Sequence, residues 1–342
     1  SNYAPVPNNT EKQKMIYKVM LHIVEQTIPQ QVINNPEYDW NPYSNTITKG
    51  GAAVEVKQEG DKRYAVLLDL FKAQKGMDVY SFAYPTAIKR AFDGGMQVKQ
   101  EDIENMFIEY ISSPKVKKIA EMIKTRLGRP LEPYDIWYDG FKSRSSISED
   151  LLTAKTKALY PTAEAFDKDI PNMLVKFGFP AAKAAQLGEA IVVEAARGSG
   201  HAMGAMSRND VARLRTRLSK GGMDYKGFNI AVHEMGHNVE QTISMRDVDH
   251  YILNGVPNTA FTEANAFVFQ KRDLTLLGYK KADAEQAKMT ELDIFWGAYE
   301  IMGVALVDMN VWKWMYANPE ATPAQLKEAV ISVAKDVWNK YY

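Results

Sequence analysis

Residues 233–237 read His-Glu-Met-Gly-His, and this pentapeptide restricts the fold more than any other feature of the chain. Two histidines four apart lie one above the other on the face of an α-helix, where both imidazoles can reach one tetrahedral Zn²⁺. Glu234 then stands one step round the helix, on the open side of such a site, as suits a carboxylate that takes a proton from an attacking water. The spacing predicts a helix over Phe228 to Ser244. The chain has no cysteine, so any metal site must use His, Asp and Glu, and neither a disulfide nor a thiol nucleophile can form.

A catalytic zinc takes three protein ligands and keeps a fourth position open. The positions three and six after His237 are Glu240 and Ile243, which excludes the HExxHxxGxxH pattern. The third ligand therefore comes from elsewhere. Downstream, Pro257-Asn258 opens a new helix in which Glu263 sits among small and aromatic residues, Phe261-Thr262-Glu263-Ala264-Asn265-Ala266-Phe267. A carboxylate buried there needs a cation partner. Asp247, Asp249 and His250, in the connecting segment, are the alternatives.

With 342 residues, 46% hydrophobic and 25% charged, the chain is expected to be a folded soluble protein of about two domains. Lys plus Arg equals Asp plus Glu, 42 each, which removes the electrostatic case for a nucleic-acid or anionic-membrane surface. The most apolar stretch, Ile294 to Tyr316, is long enough to span a bilayer but carries Glu300, Asp308, Asn310 and Lys313. It reads as a buried helix, with Asp293, Glu300 and Asp308 on one polar stripe, and no membrane span is expected. Ser1 to Thr10 is polar and rich in Pro and Asn, unlike an intact signal peptide, and Ser1-Asn2 reads as an added remnant. The cysteine-free composition leans towards export without separating it from a cytoplasmic location.

Most of the chain reads as helix: Glu11–Ile28, Ala87–Phe92, Asp102–Tyr110, Pro114–Leu127, Ser148–Tyr160 and Ala181–Ala196. A hairpin is expected where Ala53–Val56 and Arg63–Leu68 flank Glu59-Gly60-Asp61. Arg129-Pro130-Leu131-Glu132-Pro133 denies helix on both sides. It marks the expected boundary between a helical N-terminal region, 1–128, and a catalytic region, 129–342. In the latter, Val211–Leu218 alternates Arg213, Arg215 and Arg217 against Ala212, Leu214 and Leu218, a strand with one wet face.

His-Glu-Met-Gly-His followed by Phe261-Thr262-Glu263-Ala264 resembles the thimet-oligopeptidase and oligoendopeptidase family of gluzincin metallopeptidases. The same two segments are similar to angiotensin-converting enzyme. Pro133–Tyr138, Ala158-Leu159-Tyr160-Pro161 and Phe177-Gly178 are similar to the family's approach to its catalytic region. The resemblance implies a mainly α, zincin-like fold with a small β-sheet, a Zn²⁺ cofactor held by His233, His237 and Glu263, and Glu234 as general base. It also implies that His201, Gly204 and Ala205 lie on an edge strand that binds extended peptide, the alternative being an ordinary Gly-rich hairpin. Short peptides would be the substrates.

Two departures from the family accompany this. Glu240 stands where the family often has a third histidine, and the family's oxyanion-stabilising Tyr and His lie further beyond the third ligand than this chain extends. The chain then reads as a fragment, or as a short relative that recruits another tyrosine, with Tyr299, Tyr316, Tyr341 and Tyr342 unranked. Rival readings are a dipeptidyl carboxypeptidase, with Arg213, Arg215 and Arg217 as a cationic pocket, and a non-catalytic zinc-containing peptide-binding protein.

Overall fold

Apolar residues at helical spacing dominate the sequence, and the computed structural model is accordingly mainly helical, with two small sheets. It describes residues 9–142, 147–253, 258–279 and 284–342. Ser1–Asn8 and Pro257, used in the sequence reading, lie outside the described residues. The chain forms two units, Ser1–Lys142 with Lys288–Tyr342, and Ser143–Ala287.

The first unit begins with α1 (Asn9–Glu25) and an antiparallel meander of β1 (Asp39–Asn41), β2 (Thr46–Lys49) and β3 (Ala52–Val54). Ala52–Val54 pairs with β2 and not with Arg63–Leu68, so the expected hairpin does not form. Arg63–Leu68 belongs instead to α2 (Lys62–Gly76), whose Tyr64, Leu68 and Phe71 are buried together. Spacings of four and three put them on one helical stripe, a period that outweighs the short apolar run Ala65-Val66-Leu67-Leu68.

A short α3 (Ala87–Lys89) runs into a π-helical turn, Arg90–Met96, and is followed by α4 (Gln100–Ile111) and α5 (Pro114–Leu127). Pro114 occupies the first turn of α5, Ser113 caps it by accepting from Lys115 N, and Gly128 ends it at φ 66°. The proline segment that follows is tied down inside this unit. Arg129 donates to both carboxylate oxygens of Asp135, at 2.7 and 2.8 Å, and Tyr134 is buried. The division of the chain therefore falls after Lys142, beyond the expected boundary at 129–133.

The second unit contains α6 (Glu149–Leu159), α7 (Ala163–Phe177), α8 (Ala181–Glu189), β4 (Ile191–Ala196), β5 (His201–Met203), β6 (Ala212–Arg217), α9 (Tyr225–Asp247), α10 (Thr259–Gln270) and α11 (Asp273–Leu276). The helix expected over Ala181–Ala196 stops at Glu189. Its β-branched end, Ile191-Val192-Val193, alternates in burial and pairs in parallel with β6. The arginines of β6 do form a wet face, with Ala212, Leu214 and Thr216 buried on the other side. β6 lies between β4 and β5, so β5 is an antiparallel edge strand. The core gathers Phe166, Ile170, Leu174, Leu187, Leu214, Phe228, Val232 and Met235.

The chain then returns to the first unit through α12 (Ala284–Ala317) and α13 (Pro323–Tyr341). Among the described residues α12 is the one helix long and apolar enough to cross a membrane. Its apolar residues have another use: Trp296, Tyr299 and Leu306 join one core of this unit, and Val311 and Met315 join a second. It also carries Glu300 and Asp308, whose carboxyls burial holds above the usual range. Ile294, Ile301 and Val304 stay exposed, so the expected buried helix is buried on one side only.

Candidate metal centre

α9 starts because Asp224 caps it, accepting from Gly227 N at 2.7 Å. Phe228, Ala231, Val232, Met235 and Val239 then turn into the core. The histidines lie off that core face, with ring centroids 4.9 Å apart, and the Phe267 ring stands edge-on to His233.

Glu263 reaches them because α10 packs closely on α9. A Cβ on Gly236 would lie 2.7 Å from the Cα of Ala266, and Asn265 Nδ2 donates to the Gly236 carbonyl at 2.9 Å. The glycine inside the pentapeptide is therefore what admits the second helix. Asn258 caps α10 by accepting from Ala260 N. One turn in from this start, Glu263 Oε2 lies 3.4 Å from His233 Nε2, and Oε1 lies 3.4 Å from His237 Nε2.

His233, His237 and Glu263 are the one group of three or more His, Asp and Glu donors within 4.8 Å of one another among the described residues. Donors on a tetrahedral zinc, with bonds of about 2.0–2.1 Å, stand about 3.4 Å apart. The residues present thus fit the ion in donor type and spacing. The other candidates do not join them. Asp247 pairs with Lys183 at 2.5 Å, and Asp249 and His250 are exposed outside the cluster.

Glu234 is half-buried beside these three side chains. Burial pushes its carboxyl above the usual range and Glu263 adds to this, while His233, His237 and His201 oppose it. The edge strand explains part of that burial. A Cβ on Gly200 would meet Ile230 Cγ2 at 2.2 Å and Glu234 Cγ at 3.0 Å, so the chain entering β5 lies directly against the carboxylate's stem. His201 is the exposed first residue of β5, and Gly204 and Ala205 follow its end. Gly204 rests near Gln241, and Asn238 Nδ2 donates to the Met203 carbonyl at 3.3 Å. Arg208 then donates to the carbonyls of Met245 and Val248 at the end of α9.

Glu240 is outside the cluster of His233, His237 and Glu263, and burial raises its carboxyl. The three arginines offered as a cationic pocket are already paired: Arg213 and Arg215 with Glu194, and Arg217 with Asp224. Of the unranked tyrosines, Tyr299 donates to the Tyr341 carbonyl, and Tyr342 donates to the Tyr299 carbonyl. Tyr316 accepts from Ala87 N and donates to Asp78. The hydroxyls of Tyr299, Tyr316 and Tyr342 are thus engaged within the first unit.

Sequence reasoning missed Gln270, whose Oε1 lies 3.2 Å from His233 Nδ1. The signal was present as a run of polar residues four apart on α9, Tyr225, Asn229, His233 and His237. Comparison with protein-family models, curated proteins and solved structures yields no match to this chain.

Proposed function

We propose that this chain is a zinc-dependent peptidase acting on short peptides, a zincin-like oligopeptidase of the kind its two motif segments resemble. The observation that carries the reading is the convergence of His233, His237 and Glu263 at zinc-ligand spacing with Glu234 alongside. His233 and His237, through Nε2, and the Glu263 carboxylate would hold the ion. When bound, zinc supplies Lewis-acid polarisation of a carbonyl and lowers the pKa of water.

Glu234 acts as the general base. A half-buried carboxylate beside the three donors is the kind of group that takes a proton from water and returns it to the leaving amine. It is not one of the three donors in the cluster, which leaves its carboxylate free for that exchange. β5 is an edge strand beside this carboxylate. An extended peptide could pair with it in the β-augmentation mode, with His201, Gly204 and Ala205 along its path.

The Glu234→Gln variant tests the reading. The amide keeps the side chain's size and cannot accept the proton, so zinc content and peptide binding stay while turnover falls by about two to four orders of magnitude. A wild-type chain that holds zinc and binds peptides without cutting any member of a diverse library would replace the enzyme with a zinc-containing peptide-binding protein.

A further inference from the structure

On α9, Tyr225, Asn229, His233 and His237 are spaced four apart, and they meet Glu263, Gln270 and Asp273 of α10 and α11. At the far end of this seam is Asp273, buried at 7% exposure. Its carboxylate accepts from the Tyr225 hydroxyl at 2.5 Å, from Asn229 Nδ2 at 2.7 Å and from Leu274 N at 2.5 Å.

An ionised carboxylate only accepts hydrogen bonds. Asn229 must therefore turn its NH₂ towards Asp273 and its Oδ1 away, where it accepts from Gln270 Nε2 at 2.8 Å. Gln270, with its NH₂ so committed, presents Oε1 to His233 Nδ1 at 3.2 Å. A carbonyl oxygen also only accepts, so the proton of this contact belongs to Nδ1. The lone pair is then left on Nε2, the atom that faces Glu263. Every link has one allowed direction, and the direction originates at Asp273.

We infer that Asp273, acting through Asn229 and Gln270, sets the tautomer and ring orientation of His233. The three are positioning residues for the metal centre. A neutral imidazole can coordinate through only one nitrogen at a time, and the hydrogen bond at the other nitrogen decides which. Gln270 is two turns beyond Glu263 on the same helix, so α10 supplies both a ligand and the group that orients another ligand. The inference rests on reading His233, His237 and Glu263 as a zinc site, and it is independent of peptide hydrolysis.

The test is the zinc affinity of the full chain, measured with zinc alone against a competing chelator, with thermal melts to confirm folding. Gln270→Leu is expected to weaken zinc binding by about 10- to 100-fold, the usual cost of losing a partner of a ligating histidine. Asp273→Asn should weaken it too, because an amide at that end no longer dictates the direction of the chain. The decisive variant is Gln270→Glu with Asp273→Asn. It moves the carboxylate next to His233, lets Asn229 turn round, and donates to Asn229 Oδ1 from the new amide.

That double variant should recover wild-type zinc affinity. A folded Gln270→Leu protein within about two-fold of wild type would overturn the inference, as would a double variant whose loss equals the product of the losses measured in Gln270→Glu and in Asp273→Asn alone. If Asp273→Asn fails to fold, Gln270→Leu alone decides. A wild-type chain that binds no zinc would instead remove the metal centre itself, which separates that failure from failure of the relay.

Discussion

Gly236 and Ala266 touch where α9 and α10 cross: a Cβ on the glycine would stand 2.7 Å from the Ala266 Cα, a distance no side chain tolerates against backbone. Glu263 lies one turn before Ala266 on the same helix, so this contact sets how far its carboxylate reaches. Gly236→Ala should push α10 outward, lower stability by about 1–3 kcal/mol and weaken zinc binding. Thermal melts with and without zinc check both effects. An unchanged zinc affinity would show that the helix pair can separate without moving Glu263.

Zinc is expected at one equivalent, and His233→Ala, His237→Ala and Glu263→Ala should each lower it, because three protein ligands leave no redundancy. Asp247→Ala serves as the comparison. It breaks an ion pair with Lys183 outside the cluster and should keep full metal content. Metal analysis of purified variants decides, and full zinc in Glu263→Ala would sink the assignment of the third ligand.

The edge strand leads to a prediction about substrate backbone. If an extended peptide pairs with β5, methylating one backbone nitrogen that faces the strand should raise KM by about ten-fold with little change in kcat, since a ladder hydrogen bond is lost. Gly200→Ala should act differently. The added methyl meets Ile230 and Glu234 itself, so kcat falls as well. Peptides whose cleavage ignores backbone methylation would argue against strand pairing.

In the first unit, Glu300 gives a pH-dependent expectation. Burial holds its carboxyl above the ordinary value of 4.5, against the opposing pull of Lys142 and a hydrogen bond from Trp137. The fold therefore favours the neutral acid. That stabilisation is complete below the ordinary pKa and is lost as pH rises through the raised one. Glu300→Gln removes the buried charge, so its melting temperature should exceed wild type at pH 7, with the gain vanishing near pH 4. An equal gain at both pH values would assign the effect to packing.

Much of the local structure was readable from the order of residues. Helix α5 runs over the range that its proline, serine cap and terminal glycine indicate, and β6 alternates its arginines outward. The same local reasoning failed at Arg63–Leu68 and at Ile191–Ala196. In both, short apolar runs fit helix and strand alike, and the choice was made by elements distant in the chain: burial against α13 for the first, pairing with β6 for the second.

The sequence by itself determined the donor types and their helix. Without cysteine, a metal site must use His and carboxylates, and a pair of histidines four apart converges on one face through helical geometry alone. Which carboxylate completes the set was decided only when α10 packed against Gly236, and so was the turning of His233 by Gln270, Asn229 and Asp273. The reason is range. Helical periodicity is written within a few residues of any position, whereas convergence of side chains depends on how two helices cross, and that is set by contacts between segments far apart in the chain.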